Sequence, residues 1–379
     1  MSWVRELQLV NFRCYERARL EGLSAAPVVL YGANGAGKTN ILEAISYLSP
    51  GRGLRGAKIT EVQRCYGSET PWSIAAQLET PYGTVQIGTG RDSGKEKRLV
   101  RINGASARGQ NALAEYLSCV WLTPQMDRLF IETAGARRRF LDRLVFAFDP
   151  GHSGRVTRYE NALRQRARLL QDGHADPLWL DGLEQTMAQS GVAIAAGRQD
   201  LAGRLQQAGN KSVDNSLFPR AILRITGTIE ELLCHSPAIE VEEIFKYQLK
   251  QTRAQDALSG GAATGPHKSD LAVHYQTKNM PADQCSTGEQ KALLIGIILA
   301  HSHLLNAERG APPILLLDEV AAHLDDTRRG MLHEILLSLG GQVWLTGTDE
   351  HLFNDLRGKA AFFAVENSQT CRILEDRAA

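Results

Sequence analysis

The sequence predicts an α/β fold: a mostly parallel sheet, an antiparallel sheet flanking it, and an inserted, mainly α-helical arm. Three observations predict it. An apolar stretch, residues 27–31, runs into a glycine-rich loop and then into a segment of helical period. Far down the chain a second apolar run, Ile314-Leu315-Leu316-Leu317, ends in Asp318-Glu319. Between them, residues 126–262 show helical period with almost no strand signal. This texture divides the chain into an N-terminal lobe (1–125), a helical arm (126–262) and a C-terminal lobe (263–379).

Composition narrows the function classes. The chain has 379 residues, 43% hydrophobic and 22% charged, which suits a globular protein with ample core. No apolar run approaches the ~20 residues of a membrane span. Ser2-Trp3-Val4-Arg5-Glu6 is not a signal peptide. Cys14, Cys65, Cys119, Cys234, Cys285 and Cys371 are widely spaced, which predicts a reducing cytoplasm and no structural zinc. The net charge of +1 hides segregation. Residues 127–170 hold ten Arg against five acidic residues, and 308–379 hold seven basic against twelve acidic. A basic middle fits a polyanion-binding face, although such imbalance is also what a solvated surface shows.

Taken in order, residues 3–12 alternate as a strand, and 27–31 form the apolar strand before the loop. Gly51-Arg52-Gly53-Leu54-Arg55-Gly56-Ala57-Lys58 is a basic, glycine-spaced loop. Residues 72–79, 84–88 and 97–102 read as antiparallel strands with turns at Tyr82-Gly83 and Asn103-Gly104. Residues 119–123 form a buried strand stopped by Pro124. Helices are expected at 137–148, 155–170, 176–207 and 241–258, with a strand at 219–225. Gly182, Gly191, Gly197 and Gly203 argue against the third helix being one rod. No sustained heptads occur, so no long coiled coil is expected. After residue 284 come a long apolar helix, the strand at 314–317, a helix, and a strand at 342–345 ending in Thr346-Gly347-Thr348-Asp349.

The chemistry lies in the loop Gly32-Ala33-Asn34-Gly35-Ala36-Gly37-Lys38-Thr39, followed by Asn40. It fits G-x-x-x-x-G-K-[ST] between a strand and a helix. Such a loop wraps backbone N–H groups around a polyphosphate; Lys38 holds the β- and γ-phosphates and the Thr39 hydroxyl ligates Mg²⁺. Asp318 then holds Mg²⁺, and Glu319 acts as general base on the attacking water. Ser286-Thr287-Gly288-Glu289-Gln290 opens the long helix and also satisfies a Ser-x-x-Glu capping box. His301-x-His303 is spaced so that the two rings do not share a helix face, which argues against a metal site.

Ser286 to Gln290 resembles the signature of ABC-type ATPases. The order of Lys38, Gln125, Ser286, Asp318, Glu319, Asp325 and the strand end at Asp349 matches the order of motifs in such a head. The resemblance implies an ABC-type ATPase head with ATP and Mg²⁺ as cofactors. It also implies an ATP-dependent homodimer in which the signature of one copy, with Ser286, Gly288 and Gln290, closes on the loop of the other. Asn11-Phe12-Arg13, the loop, Gly51 to Arg55, Thr264-Gly265-Pro266-His267-Lys268-Ser269-Asp270-Leu271 and Ser286 to Lys291 together resemble the bacterial RecF family, from the first strand to the last. That resemblance implies an ATP-dependent, slowly hydrolysing DNA-binding dimer of recombinational repair and fork maintenance. It would bind double-stranded and gapped DNA and act with RecR and RecO to load RecA. It places Arg13 at the nucleotide, Gln125 at the catalytic water, and Arg52, Arg55, Lys58, Arg137, Arg138 and Arg139 at DNA or nucleotide phosphates. One departure is Asp349, which stands where transporter-type heads carry His and cannot donate to a γ-phosphate when ionised; it is expected to position water or the base and to make turnover slow. Two other classes compete: a membrane transporter's nucleotide-binding subunit, opposed by the inserted arm, and an SMC-like structural tether, opposed by the missing heptads.

Overall fold

The computed structural model describes residues 2–64, 71–91, 97–173, 176–211 and 218–373; Cys65 lies outside the described residues. Strand β1 (Trp3–Phe12) turns back into β2 (Tyr15–Leu20), and β3 (Val28–Tyr31) leads through the glycine loop into helix α1 (Lys38–Ser46). Then follow β4 (Ser73–Thr80), β5 (Gly83–Arg91), β6 (Arg98–Ile102), the short β7 (Ala105–Ser106) and β8 (Cys119–Leu122). The helical part comprises α2 (Ala134–Phe148), α3 (His152–Asp172) and α4 (Pro177–Lys211), then β9 (Ala221–Thr226), α5 (Thr228–Leu233), α6 (Ala238–Gln251) and α7 (Arg253–Ser259). After β10 (Asp270–Tyr275) and β11 (Met280–Pro281) come α8 (Thr287–Arg309), β12 (Ile314–Leu317), α9 (Asp326–Ser338), β13 (Val343–Gly347), β14 (Ala361–Glu366) and β15 (Gln369–Ile373).

The chain divides into two compact units, 1–126 with 301–379, and 127–300. The first holds two six-stranded sheets. One is antiparallel, in the order β2-β1-β4-β5-β6-β7. The other runs β15-β14-β3-β13-β12-β8, parallel except for β15. The parallel strands are near-continuous apolar runs because helices or a second sheet cover them; every residue of β8, β12 and β13 is buried. Phe12, Tyr47 and Trp72 pack edge to face, with centroids 5.5–6.0 Å apart. Fully buried Gln342 stitches the two sheets: it accepts from Val4 N–H and donates to the Val4 and Ser24 carbonyls.

The second unit packs α2 to α7 around a three-stranded sheet, β11-β10-β9. Residues 263–300, expected in the C-terminal lobe, cluster with the helical part because β10 pairs along its whole length with β9. Helix α4 is a single element of 35 residues despite its glycines. A Cβ on Gly191 would lie 3.0 Å from Phe245, so that glycine is where α6 approaches α4. The helix expected at 241–258 breaks at Thr252, whose hydroxyl turns to Asp256 Oδ2 at 2.7 Å.

Candidate ATPase site

In the first unit β3 lies between β13 and β14, so its C-terminal end delivers the glycine loop to the carboxyl edge of the parallel sheet. In open α/β sheets this edge is where ligands bind. Gly37 sits at φ 114°, and a Cβ there would fall 2.6 Å from the Tyr15 hydroxyl, so no other residue fits. Lys38 is buried, and its Nζ donates to the carbonyls of Gly32 (2.7 Å) and Ala33 (2.9 Å), drawing the loop around the ammonium. Burial lowers the Lys38 pKa from its ordinary value, with Glu319 and then Asp318 opposing the shift.

Strand β12 pairs in register with β13, Leu317 beside Leu345, so the next residues on each strand end side by side. Thr39 Oγ1 lies 2.9 and 3.0 Å from the two Asp318 carboxylate oxygens. Thr346 Oγ1 donates to Asp318 Oδ1 at 2.8 Å and accepts the Glu319 N–H at 2.9 Å. Glu319 is held at φ 52°, a strained conformation for a residue with a Cβ. Burial raises the Asp318 pKa; the Thr346 and Thr39 hydroxyls lower it, Glu319 raises it, and Arg55 lowers it. The paired hard oxygens of Thr39 and Asp318 fit a Mg²⁺ ion, and the loop at the start of α1 fits a phosphate.

Around α1 the basic residues are organised by an acid that the sequence reading passed over. Glu43 is fully buried; Arg13 grips it bidentately at 2.9 and 2.5 Å, and Arg55 Nη1 reaches it at 3.0 Å. The same Arg55 nitrogen donates to Asn40 Oδ1 at 2.8 Å, and Asn40 Nδ2 donates to Cys14 Sγ at 2.9 Å. Arg13, expected at the nucleotide, is thus committed to Glu43 and to the Glu61 carbonyl. Arg55 stands at the start of α1, while Arg52 and Lys58 are exposed. A lone Glu inside Asn40-Ile41-Leu42-Glu43-Ala44-Ile45 was the available signal for a buried ion pair.

The signature lies in the second unit. Ser286 and Glu289 form the capping box: Glu289 Oε2 accepts from Ser286 N–H (2.9 Å) and from its hydroxyl (2.8 Å). Lys278 also pairs with Glu289. These bonds, that of Lys278 first, hold the Glu289 pKa down at about 2. Ser286 and Gly288 are exposed, whereas Gln290 is buried and donates to the Cys285 carbonyl at 2.9 Å. Gln290 therefore braces the helix start instead of facing outward.

Other expected site residues have uses of their own. Gln125 is exposed just beyond β8, whose neighbour is β12. Asp325 caps α9 by accepting Arg328 N–H at 2.8 Å. Asp349 accepts His351 N–H at 2.9 Å and caps the turn after β13, which accounts for an Asp at that position. Of the three consecutive arginines, Arg137 pairs bidentately with Asp270 (2.7 Å twice) and Arg138 donates to the Ser269 carbonyl at 2.6 Å; only Arg139 is exposed. These internal partners occupy Arg137 and Arg138 early in α2 and leave Arg139 exposed. Arg166, one of the ten arginines of the basic middle, is buried between Glu184 and Asp256. His267 bonds the Tyr159 hydroxyl and the Ala262 carbonyl, a structural role, and no metal-binding cluster occurs among the described residues.

A glycine loop, an Asp-Glu strand end bonded to it and a Ser-initiated signature helix, on two units of this topology, define an SMC-type ATPase head. Solved structures agree in fold. One described as the recombination mediator protein RecF-ATP in RecFOR pathway superposes with a TM-score of 0.85 at 21% identity, covering 98% of both chains. The Smc head domain of Pyrococcus furiosus gives 0.54 at 14% identity, covering 98% of this chain and 96% of that one. The family described as RecF/RecN/SMC N terminal domain matches residues 3–371. The chain is 48% identical over 366 residues to the DNA replication and repair protein RecF of Mesorhizobium japonicum, covering 96% of each. It is 45% identical over 365 residues to that of Rhizobium etli, covering 96% of this chain and 97% of the relative. The chain belongs to the RecF family.

Proposed function

We propose that this protein is an ATP-dependent DNA-binding switch of DNA replication and repair, in which two copies close on ATP and hold DNA. The observation that carries the ATPase part is the continuous network Thr39–Asp318–Thr346–Glu319, which joins the phosphate loop to both acids of the strand end. In this reading the backbone of residues 32–37, with Lys38, Thr39 and Asn40, holds the triphosphate. Thr39 and Asp318 hold Mg²⁺, which neutralises phosphate oxygens when bound. Glu319 takes the proton of the attacking water, and Gln125 helps place that water. Arg13 acts at one remove, through Glu43.

The composite site follows from the family's architecture: exposed Ser286 and Gly288 of one copy meet the triphosphate on the other, with Asp325 near the junction. ATP favours the closed dimer through contacts present only there, and slow hydrolysis releases DNA. Relatives named DNA replication and repair protein RecF support DNA as the ligand; the cytoplasm is the compartment in this reading. The RecFOR pathway named for the matched structures supports RecO and RecR as partners; RecA loading on gapped DNA is the outcome that the family resemblance implies. Among the described residues no helix is long and apolar enough to cross a membrane.

The test is Lys38→Ala, which should abolish ATP binding measured by equilibrium dialysis while leaving the thermal melt cooperative. Parent-like ATP affinity in that variant would remove the loop from the account.

A further inference from the structure

The element 264–271, distinctive in sequence, has no part in the ATPase site, and its geometry assigns it one. Nearly every residue of it is tied down. Gly265 at φ 136° comes so close to Tyr159 that a Cβ would lie 2.2 Å from the phenol oxygen. The Pro266 carbonyl accepts from Arg198 at 2.7 Å, and His267 Nδ1 lies 2.7 Å from the Tyr159 hydroxyl. The Ser269 carbonyl accepts from Arg138, and Asp270 is gripped by Arg137. The exception is Lys268, which is exposed. Arg139, next to the strut Arg138, is exposed on the adjoining helix α2.

Charge is unbalanced here. Asp270 takes up Arg137 and Asp142 takes up Arg198, so among the described residues Arg138, Arg139 and Lys268 form no ion pair. The pKa of Arg138 is lowered, by burial first and then by Arg198, with Asp270 and Asp142 opposing and Arg139 adding least. Lys268 and Arg138 likewise add to the burial that lowers the His267 pKa. An uncompensated positive field on a braced loop favours an external anion, and a backbone already held in place loses little entropy when one binds.

We propose that Lys268 and Arg139 form a sequence-independent contact for the backbone phosphates of duplex DNA, with Arg137 and Arg138 as the internal struts that present them. This rests on the DNA-binding reading above and divides the three-arginine run into one contact and two braces. Lys268 acts as a point charge; Arg139 offers a planar fork to phosphate oxygens.

The experiment is fluorescence anisotropy of a labelled gapped duplex with the full chain and ATP, titrated with salt. Each phosphate contact contributes about 0.9 to the slope of log affinity against log salt. In a dimer whose two copies both hold DNA, Lys268→Ala and Arg139→Ala each remove two contacts and should each flatten the slope by about 1.8, and the double variant by about twice that. Lys268→Arg should keep the parental slope. Exposed Lys359, in the other unit, is the control, and Lys359→Ala should change nothing. Parental slopes in Lys268→Ala and Arg139→Ala, with ATP affinity and melting intact, overturn this inference alone. Absence of any ATP-dependent DNA binding by the parent chain overturns the DNA reading and this inference with it. Should Lys268→Ala fail to fold, Lys268→Met and Lys268→Arg, which stay close to the side chain's length, supply the same comparison.

Discussion

Replacing Thr346 by valine keeps the shape of a side chain that is 1% exposed and removes only its hydroxyl. That hydroxyl donates to Asp318 Oδ1 at 2.8 Å and accepts Glu319 N–H at 2.9 Å. A hydrogen bond to a charged group is worth about 1.5–3 kcal/mol, and an orphaned N–H costs about 1–3 kcal/mol. The two are not additive, and relaxation recovers part, so a stability loss of about 3 kcal/mol is expected. The effect on turnover follows from strain. Glu319 is held at φ 52°, a conformation that costs about 1–3 kcal/mol and persists only where the surroundings enforce it. Without the Thr346 anchor the backbone can relax and carry the carboxylate away from its working position. Single-turnover hydrolysis should then fall by about ten- to a hundredfold, since about 1.4 kcal/mol corresponds to tenfold in rate. ATP affinity should change by less than about threefold, because the loop and Lys38 are untouched. Thr346→Ser should recover both rate and stability. Quenched-flow hydrolysis at saturating ATP, with urea unfolding in parallel, gives both numbers. Parental turnover in Thr346→Val would refute the claim that this hydroxyl sets the geometry of the two acids.

Glu43→Ala removes the shared acid of Arg13 and Arg55 and should cost about 3 kcal/mol by urea unfolding, the lower end for a broken buried pair, because Arg55 is partly open to water. A loss under about 1 kcal/mol would make the cluster ornamental to the fold. Lys278 and then the capping box predict a pH dependence: Glu289 is held down at about 2 in the folded chain against an ordinary 4.5, so its stabilisation is present above 4.5 and is lost as pH falls toward about 2. The difference in melting temperature between the parent and Glu289→Gln should therefore shrink across that window, and a constant difference would contradict the assignment.

Much of the core was legible because its signals are local. The glycine loop, the all-apolar runs of β3, β8 and β12 and the start of α8 each carry their pattern within a few residues. Strand β2 was missed because Tyr15-Glu16-Arg17-Ala18-Arg19-Leu20 is charged on its open face. Strand β14 was missed because its pairing with β3 spans most of the chain. The rod of α4 was doubted on its glycines; Gly191 and Gly197 stand where Phe245 and Val145 approach, while Gly182 and Gly203 face open space. In the site, residue types predicted the loop and the two acids but not their third partner. Thr346 looks like any strand-end threonine until the parallel register sets it beside Asp318. Arg137 and Arg138 read as free cations because their partners lie more than a hundred residues away, on 269–270.

The central claim is that two copies share each ATP. Lys38→Ala lacks the loop cation and Ser286→Ala lacks the signature hydroxyl, so a mixture of the two should assemble dimers with one competent site. Sedimentation velocity with ATP and gapped duplex DNA should show little dimer for either variant alone and a recovered dimer for the mixture. A mixture no better than its components, or Ser286→Ala dimerising like the parent, would contradict the shared site.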